Sequence, residues 1–187
     1  MAERVVEDPV LRQRYVFRRV AAQEDAEVLQ VEIWVDPGGG VVPHIHPNFE
    51  ERFEVFSGEV TFTVGRKKRK AAAGDKVVVP PGTRHNYKNT GRGEAHLQAE
   101  ARPPLPDLQR FLEDAAALGR AGKYTRQALP KSFSGLLQLA VMARHYRDST
   151  LILMPPPFLQ PLLLYPLASL GERRGYRAGS FADGAVA

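Results

Sequence analysis

The stretch Gly38-Gly39-Gly40-Val41-Val42-Pro43-His44-Ile45-His46-Pro47-Asn48-Phe49-Glu50-Glu51, residues 38–51, decides the fold. Carried on to the next glycine it reads Gly38-x5-His44-x-His46-x4-Glu51-x6-Gly58. A second segment follows, Gly74-x5-Pro80-x-Gly82-x2-His85-x3-Asn89. Side chains at i and i+2 of a strand share a face, so His44 and His46 address one point. Pro47-Asn48 bends the chain before Glu51, and the Pro80-Pro81-Gly82 turn sets where the strand carrying His85 begins. Three imidazoles and one carboxylate beside turn residues suit a first-row divalent metal better than calcium or magnesium, which prefer oxygen donors.

Around these segments the period is that of strands. Leu29, Val31, Ile33 and Val35 alternate with Gln30, Glu32 and Trp34, and Val60, Phe62 and Val64 alternate with Glu59, Thr61 and Thr63. Ser57-Gly58 reads as a hairpin turn. Residues 94–102 alternate too, with two readings: His96, Gln98 and Glu100 line an inner pocket, or they form an outer face while Ala95, Leu97 and Ala99 turn inward.

Position by position the two segments resemble the paired signature motifs of the cupin superfamily, with every glycine, histidine, glutamate, proline and asparagine matched. The likeness implies a mainly β fold, an antiparallel jelly-roll barrel over about residues 12–104, followed by a C-terminal α-helical extension. The extension, with its Leu136–Ala140 and Gly171–Arg177 stretches, looks like that of small single-domain bacterial cupins of the cupin 2 type. Two domains are expected, 1–104 holding the metal site and 105–187 packing on the barrel or on a dimer partner. The resemblance gives the metal ligands as His44, His46, Glu51 and His85, for a divalent ion such as Fe, Mn, Ni, Co, Cu or Zn. His96 lies outside the motif and is not counted.

Among cupin activities the three-His, one-Glu set is similar to that of dioxygenases acting on small organic molecules. The expected function is therefore a metal-dependent oxidoreductase, with Glu51 as ligand or base and Tyr87 and Glu100 as titratable groups beyond the ligands. The alternatives are a non-catalytic cupin that binds a small molecule through its metal, or an isomerase acting on a sugar-like substrate.

The chain has 187 residues, no cysteine and a formal charge of +5. Disulfide and thiolate chemistry are excluded, which fits a reducing cytoplasm. Met1–Pro9 lacks an apolar core, so no secretory signal is expected there. Residues 1–105 carry 16 basic and 15 acidic side chains, and residues 106–187 carry 10 and 6. Arg66–Lys70 is the densest basic run, but no aromatic residue interleaves with it. It is read as a solvated hairpin tip, and no nucleic-acid partner is expected.

After Pro103-Pro104 the period becomes helical. Asp107 caps a helix with Leu108, Phe111, Leu112, Ala115 and Leu118 on one face, stopped by Gly119. Ser132 or Ser134 starts a second, with Leu136, Leu139, Ala140 and Ala143 as its stripe. Leu151–Leu170 carries no charge, yet its five prolines argue against a transmembrane span. It is expected to be buried in an intramolecular or homodimer contact, with peripheral membrane contact as the other reading.

Overall fold

A computed structural model describes residues 5–21, 27–103 and 106–183. The chain divides into two compact units, Met1–Glu7 with Leu11–Leu105, and Asp8–Val10 with Pro106–Ala187.

The first unit is two antiparallel sheets. Its strands are β1 (Val5–Asp8), β2 (Gln13–Ala21), β3 (Glu27–Val35), β4 (His44–Ile45), β5 (Glu50–Ser57), β6 (Glu59–Val64), β7 (Lys67–Ala72), β8 (Lys76–Val79), β9 (His85–Asn89) and β10 (Ala95–Arg102). One sheet runs β1-β2-β3-β10-β5-β8, and within this unit the other runs β4-β9-β6-β7. The two sheets pack face to face through Phe53, whose ring lies 5.0 Å from Phe62 and 5.6 Å from Tyr87. This is the antiparallel jelly roll expected from the sequence, although among the described residues no hydrogen-bonded ladder closes the two sheets into one barrel.

Alternation explains the core. Leu29, Val31, Ile33 and Val35 are buried on one face of β3, opposite Leu97, Ala99 and Ala101 of β10. Turns occur where glycine is required. Gly58 has φ +81° and a Cβ there would lie 2.7 Å from Ala95 Cα, while at Gly40 (φ +145°) it would lie 2.2 Å from the Tyr87 carbonyl oxygen. Asn89, fully buried, donates to the carbonyls of Val35 and Gly93 and accepts from Gly91 N–H. It thereby joins the two sheets at one end.

Only the first residue of the basic run lies at a hairpin tip. Gly65-Arg66 makes the turn, and Lys67–Lys70 belong to β7, the outer strand of its sheet, paired among the described residues with β6 alone. Threonines and valines of β6 supply the strand partner that composition alone did not reveal. Lysines along such an edge discourage pairing with another chain.

The second unit holds α1 (Pro106–Arg120), α2 (Phe133–His145) and α3 (Gln160–Arg173), with a 3-10 turn at Phe181–Asp183. Ser132 caps α2, accepting from Gly135 N–H at 3.0 Å. Three expectations need correction. Asp107 lies within the first turn of α1 rather than before it. Gly119 does not stop α1; it lies inside the helix, where a Cβ would stand 3.2 Å from Asp8 Oδ1 and Val10 Cγ2 and 3.3 Å from the Tyr124 hydroxyl. The buried face of α2 is Gly135, Leu137, Gln138, Ala140, Val141 and Met142, so the expected stripe through Leu136, Leu139 and Ala143 is rotated. Neighbouring stripes on α2 are about equally apolar, and packing against α3 selects between them. Gly171 of α3 permits that packing, since a Cβ there would come within 2.9 Å of Val141 Cγ2.

The third helix was not expected at all. Proline is tolerated in a helix's first turn, where its missing N–H needs no partner, which accommodates Pro161, but Pro166 lies in the interior. Five prolines masked the helical period.

Candidate metal centre

Each of the four residues arrives by a separate local device. His44 lies in the two-residue strand β4, and its Cα partner across the ladder is His85 of β9. His46 follows two positions on, its ring stacked on Phe49 at 4.2 Å. Glu51 enters from β5, on the other sheet, after the Pro47-Asn48 bend. In the turn before β9, Gly82 (φ +71°) donates its N–H to the His46 carbonyl at 2.8 Å, which ties the second segment to the first.

The four side chains converge. Their potential ligand atoms all lie within 4.8 Å of one another, and all four residues are buried. His44 Nε2 is 3.2 Å from His46 Nε2, His85 Nε2 is 2.9 Å from Glu51 Oε2, and His46 Nε2 is 3.5 Å from the same oxygen. The outward nitrogens are spoken for: Nδ1 of His44 lies 2.8 Å from Val42 O and Nδ1 of His85 lies 2.9 Å from Thr83 O. A carbonyl only accepts, so each Nδ1 carries the proton and donates it. In the neutral rings this turns the Nε2 lone pairs of His44 and His85 towards the cluster.

Electrostatics agree with that arrangement. Burial, reinforced by His46 and His85, holds the His44 imidazole well below its ordinary value, so it is neutral. Burial alone would raise the Glu51 carboxyl, but the nearby His46 and hydrogen bonds from His46 and His85 outweigh it and push it well below the usual carboxylate range. Burial pulls His85 down, yet its bond to Glu51 wins and raises it. Lone pairs and an anion facing one point repel unless a proton or a cation stands between them. Two ligands about 2.1 Å from one ion, at right angles, stand about 3 Å apart, close to the spacings seen here. The donor set therefore fits a metal ion.

The other candidates divide. Tyr87 shares the His85 face of β9 and is buried, and its hydroxyl donates to Gln13 Oε1 at 2.8 Å. Gln13 in turn donates to the Tyr15 hydroxyl at 2.5 Å. This buried chain of Tyr87, Gln13 and Tyr15 was missed from sequence, because Gln13 and Tyr15 lie far from either motif. Glu100 does not join the site. In the β10–β5 ladder Ala101 pairs with Glu51 and Ala99 with Phe53, while Glu100 pairs with Arg52. Glu100 thus lies on the opposite face from Glu51, accepting from Arg102 and Gln30, which hold its carboxyl below the ordinary value against the effect of burial. Strand parity overturns its assignment as an inward catalytic group. Of the two readings of residues 94–102, the apolar set faces inward. His96 belongs to the other face, stacked on Trp34 at 4.5 Å and bonded to Glu32.

The cupin domain family model matches residues 31–99, which span all four clustered residues. Among solved structures, an RmlC-like cupin from Shewanella frigidimarina is 21% identical, with 57% of this chain and 88% of that chain covered at a TM-score of 0.49. KdgF from Halomonas sp. is 21% identical, covering 55% of this chain and 89% of that one at 0.46. Oxalate decarboxylase from Bacillus subtilis is 20% identical, covering 52% and 27% at 0.45. No curated protein matches.

Proposed function

We propose that this protein is a metal-dependent cupin that binds one first-row divalent ion through His44, His46, Glu51 and His85 and oxidises a small organic molecule in the manner of a dioxygenase. The observation that carries the metal assignment is the convergence of four buried donors within 4.8 Å. When bound, the ion would supply a Lewis-acidic centre with positions left open for a small molecule. The chain's own residues do the rest. The Val42 and Thr83 carbonyls fix the imidazole tautomers, as outer partners of ligating histidines do. Glu51 is held anionic and takes part in neutralising the ion's charge. Phe53, Phe62 and Tyr87 pack against one another in the core between the two sheets, beneath the strands that carry Glu51 and His85.

A second reading, binding without turnover, has one observation in its favour. With Glu100 turned away and the Tyr87 hydroxyl donated to Gln13, Glu51 is the one carboxylate in the donor cluster among the described residues. Oxygen uptake separates the two. Protein reconstituted with Fe2+, Mn2+, Ni2+ or Cu2+ is assayed in an oxygen electrode against small phenols, enols and organic acids. Substrate-dependent uptake that disappears in His46→Ala supports the dioxygenase reading. Tight ligand binding with no uptake for any metal supports the second. We further propose a homodimer acting on a small molecule without nucleic acid, which sedimentation and a filter-binding assay test.

A further inference from the structure

We propose that the exposed apolar face of α3 and the segment before it dock onto the surface of an anionic lipid bilayer. Between Leu151 and Gly171 the chain carries no charged residue. Within the chain its large side chains are not buried, against the intramolecular form of the expectation: Phe158 is 80% exposed, Leu162 73%, Met154 67% and Leu163 48%. Exposed apolar surface at this density in one short segment marks an interaction site.

The stripe is ordered along the helix. Leu162, Pro166 and Leu170 recur at intervals of four, on the solvent side, and Arg173 and Arg174 continue the same line. The opposite side holds Ala168 and Gly171, buried, with Leu164 and Leu167 packed into the core of this unit. Arg174 also lies over the ring of Phe133, 5.2 Å away and itself exposed, so the apolar surface extends onto the first residue of α2. A helix of 14 residues rises about 21 Å, too short to span a bilayer core but long enough to lie along its surface. No helix among the described residues is long and apolar enough to cross.

Charge decides between occupants. The rim carries exposed Arg173, Arg174 and Arg177, while Glu172 pairs with Arg144 and Asp148 with Arg147. A second copy meeting this face with its own would bring the arginines against residues 151–171, which carry no carboxylate. Anionic headgroups supply the missing charge, while Phe158, Leu162 and Leu163 enter the boundary between headgroups and acyl chains.

The test is flotation of the full chain with phosphatidylcholine vesicles, with and without phosphatidylglycerol. Binding to the anionic vesicles alone, weakened by added salt, is the expected result. Phe158→Glu with Leu162→Glu should lower partitioning at least about tenfold, since two apolar side chains leave the bilayer. Arg173→Glu with Arg174→Glu, which leaves the apolar face intact, should lower it about fivefold or more for each charge removed. Circular dichroism unchanged in both double variants assigns the loss to the surface. The proposal is overturned if the protein does not float, if neither double variant affects flotation, or if the wild type is a dimer that Phe158→Glu with Leu162→Glu splits while vesicles remain unbound.

Discussion

The Gly82 N–H donates to the His46 carbonyl at 2.8 Å, so the turn that launches the His85 strand is fastened to the backbone of another clustered residue. Gly82 has φ +71°, and a Cβ there would meet nothing within 4 Å. Gly82→Ala should therefore cost only the backbone strain of a left-handed residue, about 1–2 kcal/mol, and leave metal stoichiometry intact. Gly40→Ala, whose Cβ would collide with the Tyr87 carbonyl, should cost more, about 3 kcal/mol or above. Urea denaturation of both variants checks the ranking, and equal costs would contradict it.

Asn89 offers a way to separate fold from site. Its side chain serves Val35, Gly93 and Gly91 rather than the cluster. Asn89→Ala leaves a buried carbonyl without its donor and should destabilise the first unit by about 2–3 kcal/mol. Below its melting temperature the variant should still bind one metal ion per chain. Loss of binding while the variant remains folded would assign Asn89 a direct part in the site.

Acid should release the ion. Imidazoles bind metal only when neutral, so protons compete with it. His85 is raised above the ordinary histidine value of about 6.5, so its proton returns first as pH falls, before that of the depressed His44. Metal affinity measured by competition with a chelator should begin to fall above pH 6.5 and continue falling below it. A flat profile between about pH 8 and about pH 5 would contradict this order.

The helical unit should be sensitive to base. Burial and Asp114 raise the Tyr146 phenol, and burial and Asp8 raise that of Tyr124. A raised phenol keeps its proton in the folded state when the unfolded chain has lost it. The stabilisation is complete below the ordinary value of about 10 and diminishes as pH climbs beyond it. Helical dichroism should fade above about pH 10. Tyr146→Phe should cost about 1.5–3 kcal/mol at neutral pH, losing a bond to a carboxylate that still accepts from Gly179, Phe181 and Ala182, and should flatten the alkaline slope.

The barrel strands and the convergence of His44, His46, Glu51 and His85 were legible because parity and turn residues are local, and the ladder merely confirms them. Glu100 was not legible. Residues 94–102 alternate cleanly, but parity without a partner strand leaves both faces open until Ala101 is set beside Glu51. The α2 face was ambiguous for a similar reason, since packing against Gly171 fixes its rotation. For Lys67–Lys70, composition spoke for a turn while the pairing with Thr61 and Thr63 made a strand. The Gln13–Tyr87 bond joins residues 74 positions apart and has no local trace in the sequence.

The central claim is that four side chains hold one ion together. Metal-free protein titrated with Co2+ and followed by its visible absorption tests this most directly. One equivalent should saturate the spectrum, and His85→Ala and His46→Ala, each with an unaltered β-sheet dichroism spectrum, should abolish or shift it. A wild type that takes up no Co2+, or folded variants whose spectrum and stoichiometry match the wild type, would contradict the account.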